Sequence, residues 1–444
     1  MTVLAYTLGV LLFVVGVAAS IGLHELGHLV PGKLFDVKVT QYFVGFGRTL
    51  WSRRRGETEY GVKAVPLGGY VKLVGMLPPA PGAGTDQVRS SRTGMFSQLV
   101  SDARAAEYEH VEPGDENRLF YRLSWWKKIV VMVSGVMTNL VIAFVLFAVV
   151  FMGHGVPQAT TTVQAVSKCV IAVTAADADQ PQRACRSTDP VAPATKAGIR
   201  PGDRIVSFNG RAIDSWSQLQ AAIGRNDDGA AVIGVVRDGK QLTLRTSTTV
   251  SPRLDTTSTD ASGGTPEVTR SGFLGVSPTS KDVRQGPGFV VSTMADGTWS
   301  TLKALATLPV KLYHVARASV GLEKRAADSP MSVVGAGRVA GELTSDSATP
   351  VADRFFSVLL LLAALNLFLG LFNLVPLPPL DGGPIATTLF EAARRGIARV
   401  RHKPDPGFVD SAKLLPVTYV MAGVILVAGL LLVFADIVAP VSMG

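Results

Sequence analysis

The amino-acid sequence predicts an α-helical polytopic membrane protein with four transmembrane helices. Of its 444 residues, 47% are hydrophobic and only 17% are charged, whereas soluble proteins carry about 25% charged residues. The uncharged residues are concentrated in four runs, each as long as the roughly 20 residues that a helix needs to cross a hydrocarbon core. These runs are Met1–Leu23, Ile129–Met152, Phe355–Leu380 and Leu414–Ala435. One such run would fit a soluble core, but four indicate a membrane protein.

From these runs we predict transmembrane helices at 1–30, 129–152, 355–380 and 414–438. The first helix is expected to be retained rather than cleaved as a signal peptide, because no basic residue precedes its long apolar stretch. Basic residues flank the connection 31–128 at both ends and recur in the connection 381–413. By the positive-inside rule both connections are cytoplasmic, and the long region 153–354 then lies outside.

Charge and cysteine usage agree with this topology. The net charge of +9 mostly reflects the cytoplasmic connections, whose basic residues favour contact with the anionic lipids of the bilayer. No pattern indicates a nucleic-acid surface. Both cysteines, Cys169 and Cys185, fall in the outside region, where disulfides persist. A disulfide between them is expected, and two unpaired thiols are the alternative.

The connection between the first two helices contains a predicted β-hairpin at 42–75. Aromatic and β-branched residues lie on both sides of a charged turn near Arg53–Glu59, a pattern typical of paired strands. Because the two flanks are very apolar, we expect a membrane-associated hairpin. It can enter the membrane only where protein or water covers its backbone polar groups.

The first predicted helix ends in the motif H-E-x-x-H, formed by His24, Glu25 and His28. The two histidines are four residues apart and share one face of a helix, so both imidazoles can reach one metal ion. Glu25 is offset around the helix, and in such sites this residue is the general base. A polar helix end with solvated histidines is the alternative. Because ionisable residues at membrane depth are costly, their clustering favours a functional site.

A catalytic zinc site with one open position needs a third protein ligand. Asp381 directly follows the third uncharged run, in which Pro376, Pro378 and Pro379 cannot continue a helix. The predicted topology ends this helix at the same membrane face as the first helix. We therefore expect Asp381 to lie at the depth of the two histidines and to complete the site. The alternative is that Asp381 only begins a cytoplasmic turn.

The outside region 153–272 contains a compact module at about 159–250. Its segment Ala192–Val250 alternates short helices, turns and strands, and contains Ala197-Gly198, P-G-D-R-I from Pro201, and Asn209-Gly210. These pieces resemble a PDZ domain, an α+β fold, of the circularly permuted kind found in bacterial envelope proteases. PDZ domains take extended peptides by strand addition. A small β-rich domain without a ligand is the alternative.

The region 273–354 after this module is predicted to contain an amphipathic helix at Trp299–Leu322. Pro309 is expected to break or kink that helix. It is interpreted either as a membrane-surface helix or as a helix packed under the module.

The combined motifs resemble the site-2 protease family, the intramembrane zinc metalloproteases of regulated proteolysis. The resemblance rests on HELGH in the first helix, on N-x-x-P-x-P-x-L-D-G from Asn373 to Gly382, and on a PDZ-like module between them. The second helix also matches the family's G-x-x-x-N element at Gly135 and Asn139. One departure is Pro384, where the family often has histidine, so no role is expected there.

The resemblance implies an intramembrane zinc endopeptidase with one Zn²⁺ ion. It implies that His24, His28 and Asp381 bind the metal and that Glu25 is the general base or acid. The implied substrate-binding residues are Asn373, Pro376, Pro378 and Asn139. For Asn139 the alternative is a polar residue that stabilises helix packing.

The resemblance also implies substrates, partners and a location. Single-pass membrane proteins are cut after a first extracytoplasmic cleavage by a site-1-type protease, with anti-sigma factors and remnant signal peptides as expected substrates. The protein is expected in the cell (inner) membrane, with the PDZ domain outside and the active site near the cytoplasmic side. Two alternatives stay open: a PDZ-containing membrane scaffold or chaperone with a non-catalytic metal site, and a metallopeptidase acting on soluble peptides.

Overall fold

The computed structural model describes residues 2–79, 95–108, 111–171, 183–254 and 268–441. Parts of the predicted regions 31–128 and 153–272 therefore lie outside the described residues. The chain forms two compact units, the first from 1–153 and 286–442 and the second from 154–285. Each unit is described by itself below.

The first unit is helical and contains one pair of long strands. Its helices are α1 (Thr2–Leu34), α2 (Met95–Tyr108), α3 (Trp125–Ala148), α6 (Pro287–Ser319), α7 (Val333–Ser345), α8 (Val351–Asn373), α9 (Gly382–Val400) and α10 (Leu415–Val438). Its strands are β1 (Val39–Arg55) and β2 (Thr58–Leu73). Within the described ranges four helices, α1, α3, α8 and α10, are long and apolar enough to cross a membrane, which confirms the predicted number.

The boundaries of these helices differ from the predicted ones in physically clear ways. Helix α8 ends at Asn373 rather than at 380, because the prolines that follow cannot supply the backbone N–H groups of another turn. Helix α1 continues to Leu34 through Pro31, and α3 begins at Trp125, four residues before the uncharged run. Helix α6 begins at Pro287 and continues through Pro309, so of the predicted break or kink the break is wrong.

The core of the first unit lies where α1, α3, α7 and α8 meet. Its fully or nearly buried members include Phe13, Val17, Ala340, Val358 and Leu362. Helices α1 and α3 approach closely at Gly27, where an added Cβ atom would lie only 2.6 Å from Thr138 Oγ1 and 2.7 Å from the Ser134 carbonyl oxygen. Such small-residue contacts allow membrane helices to pack tightly.

Strands β1 and β2 form more than a simple hairpin. Both strands bend, and in β1 the bend falls at Gly45 and Gly47, whose positive φ values glycine adopts readily. As a result residues 41–44 pair with 59–62 on one side and with 69–72 on the other. The pair therefore folds into a small sheet of four short segments. The last segment of β2 lies at an edge of this sheet and packs against α1.

The second unit is an α+β domain. Its helices are α4 (Pro193–Ala197) and α5 (Trp216–Gly224), and its strands are β3 (Val156–Val166), β4 (Arg204–Phe208), β5 (Arg211–Ala212), β6 (Ala230–Arg237), β7 (Lys240–Ser247), β8 (Thr249–Leu254), β9 (Val268–Phe273) and β10 (Val276–Val283). The main sheet has the order β10-β3-β4-β6-β7, with β5 on β4. Its core includes Ile205, Leu219, Ile233 and Val235.

Two sequence predictions are corrected in this unit. Residues 276–283 were assigned to the region after the module, but as β10 they pair antiparallel with β3 and so belong to the sheet. The segment 251–272, which lies beyond the predicted module at 159–250, has described ends that pair as β8 and β9. The place of β10 in the sheet is hard to recognise from the sequence, because its partner strand β3 lies more than a hundred residues earlier. A disulfide joins Cys169 and Cys185, as expected.

Candidate metal centre

The C-terminal part of α1 carries the two histidines of the HELGH motif. His24 and His28 are one helical turn apart, and both are buried, with 9% and 5% of their surfaces exposed. Their Nε2 atoms lie 3.3 Å from each other. The shared helix face predicted from the i, i+4 spacing is therefore present, and it directs both imidazoles to one point.

Helix α3 fixes the orientation of the second imidazole. The Nδ1 atom of His28 lies 2.8 Å from the carbonyl oxygen of Val131, to which it donates its proton. The lone pair then lies on Nε2, the atom that faces His24. Hydrogen bonds of this type select the tautomer of a metal-binding histidine and raise its basicity.

Gly135 provides the space for this imidazole. A Cβ atom added at Gly135 would lie 2.2 Å from His28 Nε2 and 2.5 Å from Cε1, closer than any real contact. The sequence indicated Gly135 only as part of the G-x-x-x-N element. Its contact with His28, like the Val131 carbonyl, depends on tertiary packing and was not predicted.

Asp381 lies at the same point, although 357 residues separate it from His24 in the sequence (381 − 24 = 357). Its Oδ2 atom is 3.2 Å from His24 Nε2 and 3.4 Å from His28 Nε2. This oxygen is buried, and no hydrogen-bond donor among the described residues reaches it. An ionised carboxylate oxygen in this position is satisfied by a cation.

A compact loop between α8 and α9 carries Asp381 to the histidines. The loop folds so tightly that a Cβ atom at Gly382 would lie 2.1 Å from the Val375 carbonyl oxygen, and one at Gly383 would lie 2.8 Å from Pro378 N. Only glycine fits at both places. The two glycines after Asp381 are therefore needed to position the carboxylate, a role that the sequence pattern did not reveal.

The three donor atoms match the requirements of zinc. In a tetrahedral site with bonds of about 2.0–2.1 Å, two ligand atoms lie about 3.3–3.4 Å apart. The three measured separations are 3.2, 3.3 and 3.4 Å. Separations of this size are compatible with a tetrahedral zinc site in which His24, His28 and Asp381 would supply three ligands and the fourth position would stay open.

Glu25 lies on α1 beside the histidines and against β2. A Cβ atom added at Gly69 would lie 3.0 Å from Glu25 Cγ, so the carboxyl group is placed next to the edge segment of the small sheet. The hydroxyl of Tyr42 on β1 donates to the Gly22 carbonyl oxygen at 2.7 Å. This bond attaches the sheet to the turn of α1 that precedes the motif.

The other predicted site residues lie on α3, at the end of α8 and in the loop that follows it. Asn139 is buried on α3, one turn beyond Gly135, and its Oδ1 has no hydrogen-bond partner among the described residues. Asn373 is the last residue of α8 and is half-buried. Pro376 is exposed, and Pro378 packs on Gly383. A neighbouring polar residue that the sequence analysis did not select is Asn366, whose amide donates to Ser20 Oγ at 3.0 Å.

Comparison with known proteins decides the family. The profile described as "Peptidase family M50" matches residues 12–404. The chain belongs to peptidase family M50. Among its relatives, the zinc metalloprotease Rip1 of Mycobacterium tuberculosis is 34% identical over 450 residues, which cover 99% of each chain. The metalloprotease MmpA of Caulobacter vibrioides is 28% identical over 404 residues, covering 87% of this chain and 86% of its own.

Membership of the M50 family, the site-2 proteases, makes this protein a zinc metalloprotease of the membrane. The predicted family resemblance, enzyme class and Zn²⁺ cofactor are thereby confirmed. Membrane-protein substrates and a lipid environment follow from the family and from the four apolar helices.

Proposed function

We propose that this M50 peptidase is an intramembrane endopeptidase that cleaves single-pass membrane proteins within their transmembrane segments. The observation that carries the proposal is the tetrahedral spacing of His24 Nε2, His28 Nε2 and Asp381 Oδ2 at the end of the apolar helix α1. A hydrolytic site built into a membrane-spanning helix is suited to peptide bonds that are themselves in the membrane.

In this proposal the residues have separate roles in hydrolysis. When bound by the two histidines and Asp381, zinc is a Lewis acid that lowers the pKa of water from about 15.7 to about 7. Glu25 accepts the proton of the attacking water and delivers it to the leaving amine nitrogen. The Val131 carbonyl keeps His28 in one tautomer, so that its Nε2 stays available to the metal.

The edge of the small sheet is proposed to hold the substrate in extended form. A transmembrane helix must unwind before its peptide bond can be attacked, because its backbone groups are already hydrogen-bonded. Residues 69–73 pair with β1 on one side only, and Gly69 is next to Glu25. Strand addition at this edge places the substrate beside the general base. Asn139, Asn373, Pro376 and Pro378 are proposed to contact the substrate.

The finer points of topology and substrate are also proposals. Both connections with flanking basic residues are placed in the cytoplasm, with the metal centre near that side of the inner membrane. The second unit is proposed to be an extracytoplasmic PDZ domain that excludes untrimmed substrates. The proposed substrates are anti-sigma factors and remnant signal peptides already cut once outside by a site-1-type protease.

The test compares purified full-length wild type with Glu25→Gln and Asp381→Ala. Wild type is expected to hold one zinc ion and to cut a reconstituted single-pass substrate whose outer part has been removed. Glu25→Gln is expected to keep the zinc and lose cleavage, because only the base is changed. Asp381→Ala is expected to lose both. If Asp381→Ala kept zinc and activity, the ligand assignment would be wrong. If wild type cut nothing while binding zinc, the non-catalytic alternative would be favoured.

A further inference from the structure

Helix α9 packs against the rest of the first unit by one face only. On that inner face Glu391 is 5% exposed, and its Oε1 accepts a hydrogen bond from Lys128 Nζ on α3 at 3.0 Å. Its Oε2 accepts a second bond from the Val409 backbone N–H at 3.0 Å. Thr388, one turn earlier, is also buried. These contacts fix which side of α9 points away from the protein.

The outer face of α9 is apolar and uncovered by the described residues. Leu389, Phe390, Ile397 and Val400 are 50%, 60%, 54% and 80% exposed. At about 100° per residue the four side chains fall within an arc of roughly 100°, and Glu391 points to the opposite side. A helix that met only water on this side would carry polar residues there.

Basic residues cluster at the C-terminal end of α9. The segment 394–403 contains five arginine and lysine residues and no acidic one. Arg399, Arg401 and Lys403 are exposed and form no ion pair with the residues that the structure describes. Among the described residues these three cations therefore have no anionic partner.

The position of α9 in the chain indicates what that partner is. The helix lies between a candidate membrane span that ends at Asn373 and one that begins at Ser411. Both ends of α9 are therefore held close to the surface at which acyl chains meet headgroups. A helix with an apolar stripe and basic residues outside that stripe lies in the plane of such a surface.

We propose that the outer face of α9, defined by Leu389, Phe390, Ile397 and Val400, inserts into the anionic leaflet of the membrane. Arg399, Arg401 and Lys403 then pair with lipid phosphates. The occupant is the lipid leaflet itself rather than a protein, because the exposed cations at the C-terminal end of α9 match anionic headgroups. This surface is separate from the metal centre and does not depend on which substrate is cleaved.

The test uses a spin label on the full-length protein in vesicles. Both native cysteines are in the disulfide, so Phe390→Cys offers a single thiol. Pro404→Cys, in the exposed loop after α9, is the matched control. Vesicles contain either phosphatidylcholine alone or phosphatidylcholine with one third phosphatidylglycerol. In the anionic vesicles the label at 390 is expected to be several-fold more accessible to oxygen than to a water-soluble nickel chelate, with the reverse order at 404.

A second set of substitutions tests the role of charge. In the Phe390→Cys background, the triple change Arg399→Gln, Arg401→Gln and Lys403→Gln is expected to abolish the difference between anionic and neutral vesicles. High salt should do the same by screening the charges. Inorganic phosphate added to neutral vesicles should have no effect.

Three results would overturn the proposal. The first is a label at 390 as open to the nickel chelate as the label at 404 in anionic vesicles. The second is an unchanged lipid dependence in the triple variant, or reproduction of the anionic-vesicle result by free phosphate. The third is spin–spin broadening between copies of the labelled protein, which would identify a protein rather than lipid on this face.

Discussion

At the scale of single residues, the metal centre depends on groups that are not themselves ligands. His28 is held between the Val131 carbonyl, which receives its Nδ1 proton, and Gly135, which leaves room for its ring. His24 has no comparable support, since its Nδ1 is buried without a partner among the described residues. Helix α3 therefore controls one of the two imidazoles, and the α8–α9 loop controls the carboxylate.

The contact at Gly135 leads to a direct prediction. Gly135→Ala is expected to displace His28 and to weaken zinc binding by about 10–100-fold, the usual effect of disturbing a group that supports a ligand. The intrinsic helix propensity of the new residue should not destabilise α3, because alanine favours a helix by about 1 kcal/mol over glycine. The measurement is zinc affinity by competition with a chelator, alongside thermal unfolding.

The matched control for this change is Gly423→Ala in α10, where nothing lies within 4 Å of the added Cβ atom. It should leave the zinc affinity of wild type unchanged. Equal affinities for Gly135→Ala and Gly423→Ala would show that the close approach of Gly135 to His28 does not matter for the metal.

A second residue-scale prediction concerns pH and the second unit. Asp203 is almost fully buried and accepts hydrogen bonds from Arg237 Nε at 2.7 Å and Nη2 at 2.8 Å. The Arg237 guanidinium holds the pKa of the Asp203 carboxyl below its usual range. This stabilisation is complete above the unfolded pKa of about 3.9 and is lost as the pH falls through the lower folded value.

Arg237→Gln is therefore expected to lower the free energy of unfolding of this unit at pH 7, because it leaves the buried Asp203 carboxylate without its charged partner. The difference from wild type should shrink as the pH falls below about 4. This difference in the free energy of unfolding is measured by hydrogen exchange of β4 and β6 peptides in the full-length protein, corrected for intrinsic rates. Arg245→Gln, an exposed position on β7, is the control. The idea fails if both variants exchange alike at pH 7.

At the scale of elements, α3 and α9 are joined by a buried ion pair. Lys128 and Glu391 are 4% and 5% exposed and lie 3.0 Å apart. Lys128→Met is expected to cost about 3 kcal/mol, because it removes the nearer cation from the buried Glu391 carboxylate and leaves only Arg395 among the described residues, at 3.7 Å. The double variant Lys128→Met with Glu391→Leu should recover most of this loss. The measurement is thermal unfolding of wild type, the single variant and the double variant in one detergent. Equal stability of the single and the double variant would contradict the prediction.

The elements also show what sequence patterns can and cannot predict. The end of α8 before Asp381 follows from the prolines, which act locally, and the four apolar helices follow from length and composition. The folding of β1 and β2 into four paired segments could not be predicted from the sequence. Residues 41–44 pair with a segment on each side, and an alternation of residue types cannot reveal two partners. The addition of β10 to the sheet of the second unit likewise depends on a strand far away in sequence.

At the scale of the whole chain, the position of the third predicted ligand was inferred from topology. Both the H-E-x-x-H helix and the helix before Asp381 were expected to end at one membrane face, and the structure brings Asp381 within 3.4 Å of both imidazoles. The supporting groups could not be inferred in this way. A backbone carbonyl such as that of Val131 carries no sequence signal, and the fit of Gly135 depends on the packing of α1 against α3.

With the proposed ligands His24, His28 and Asp381, the metal is a cross-link between distant parts of the chain. Because zinc binds the folded arrangement of α1 and the α8–α9 loop, it stabilises that arrangement by mass action, by about 4 kcal/mol at a thousand times the dissociation constant. Removing zinc with a chelator is therefore expected to lower the unfolding temperature of wild type. Glu25→Gln keeps all three ligands and should show the same drop. Asp381→Ala should unfold at the lower temperature with or without chelator, and a chelator-induced drop of wild-type size in this variant would mean that the metal is held elsewhere.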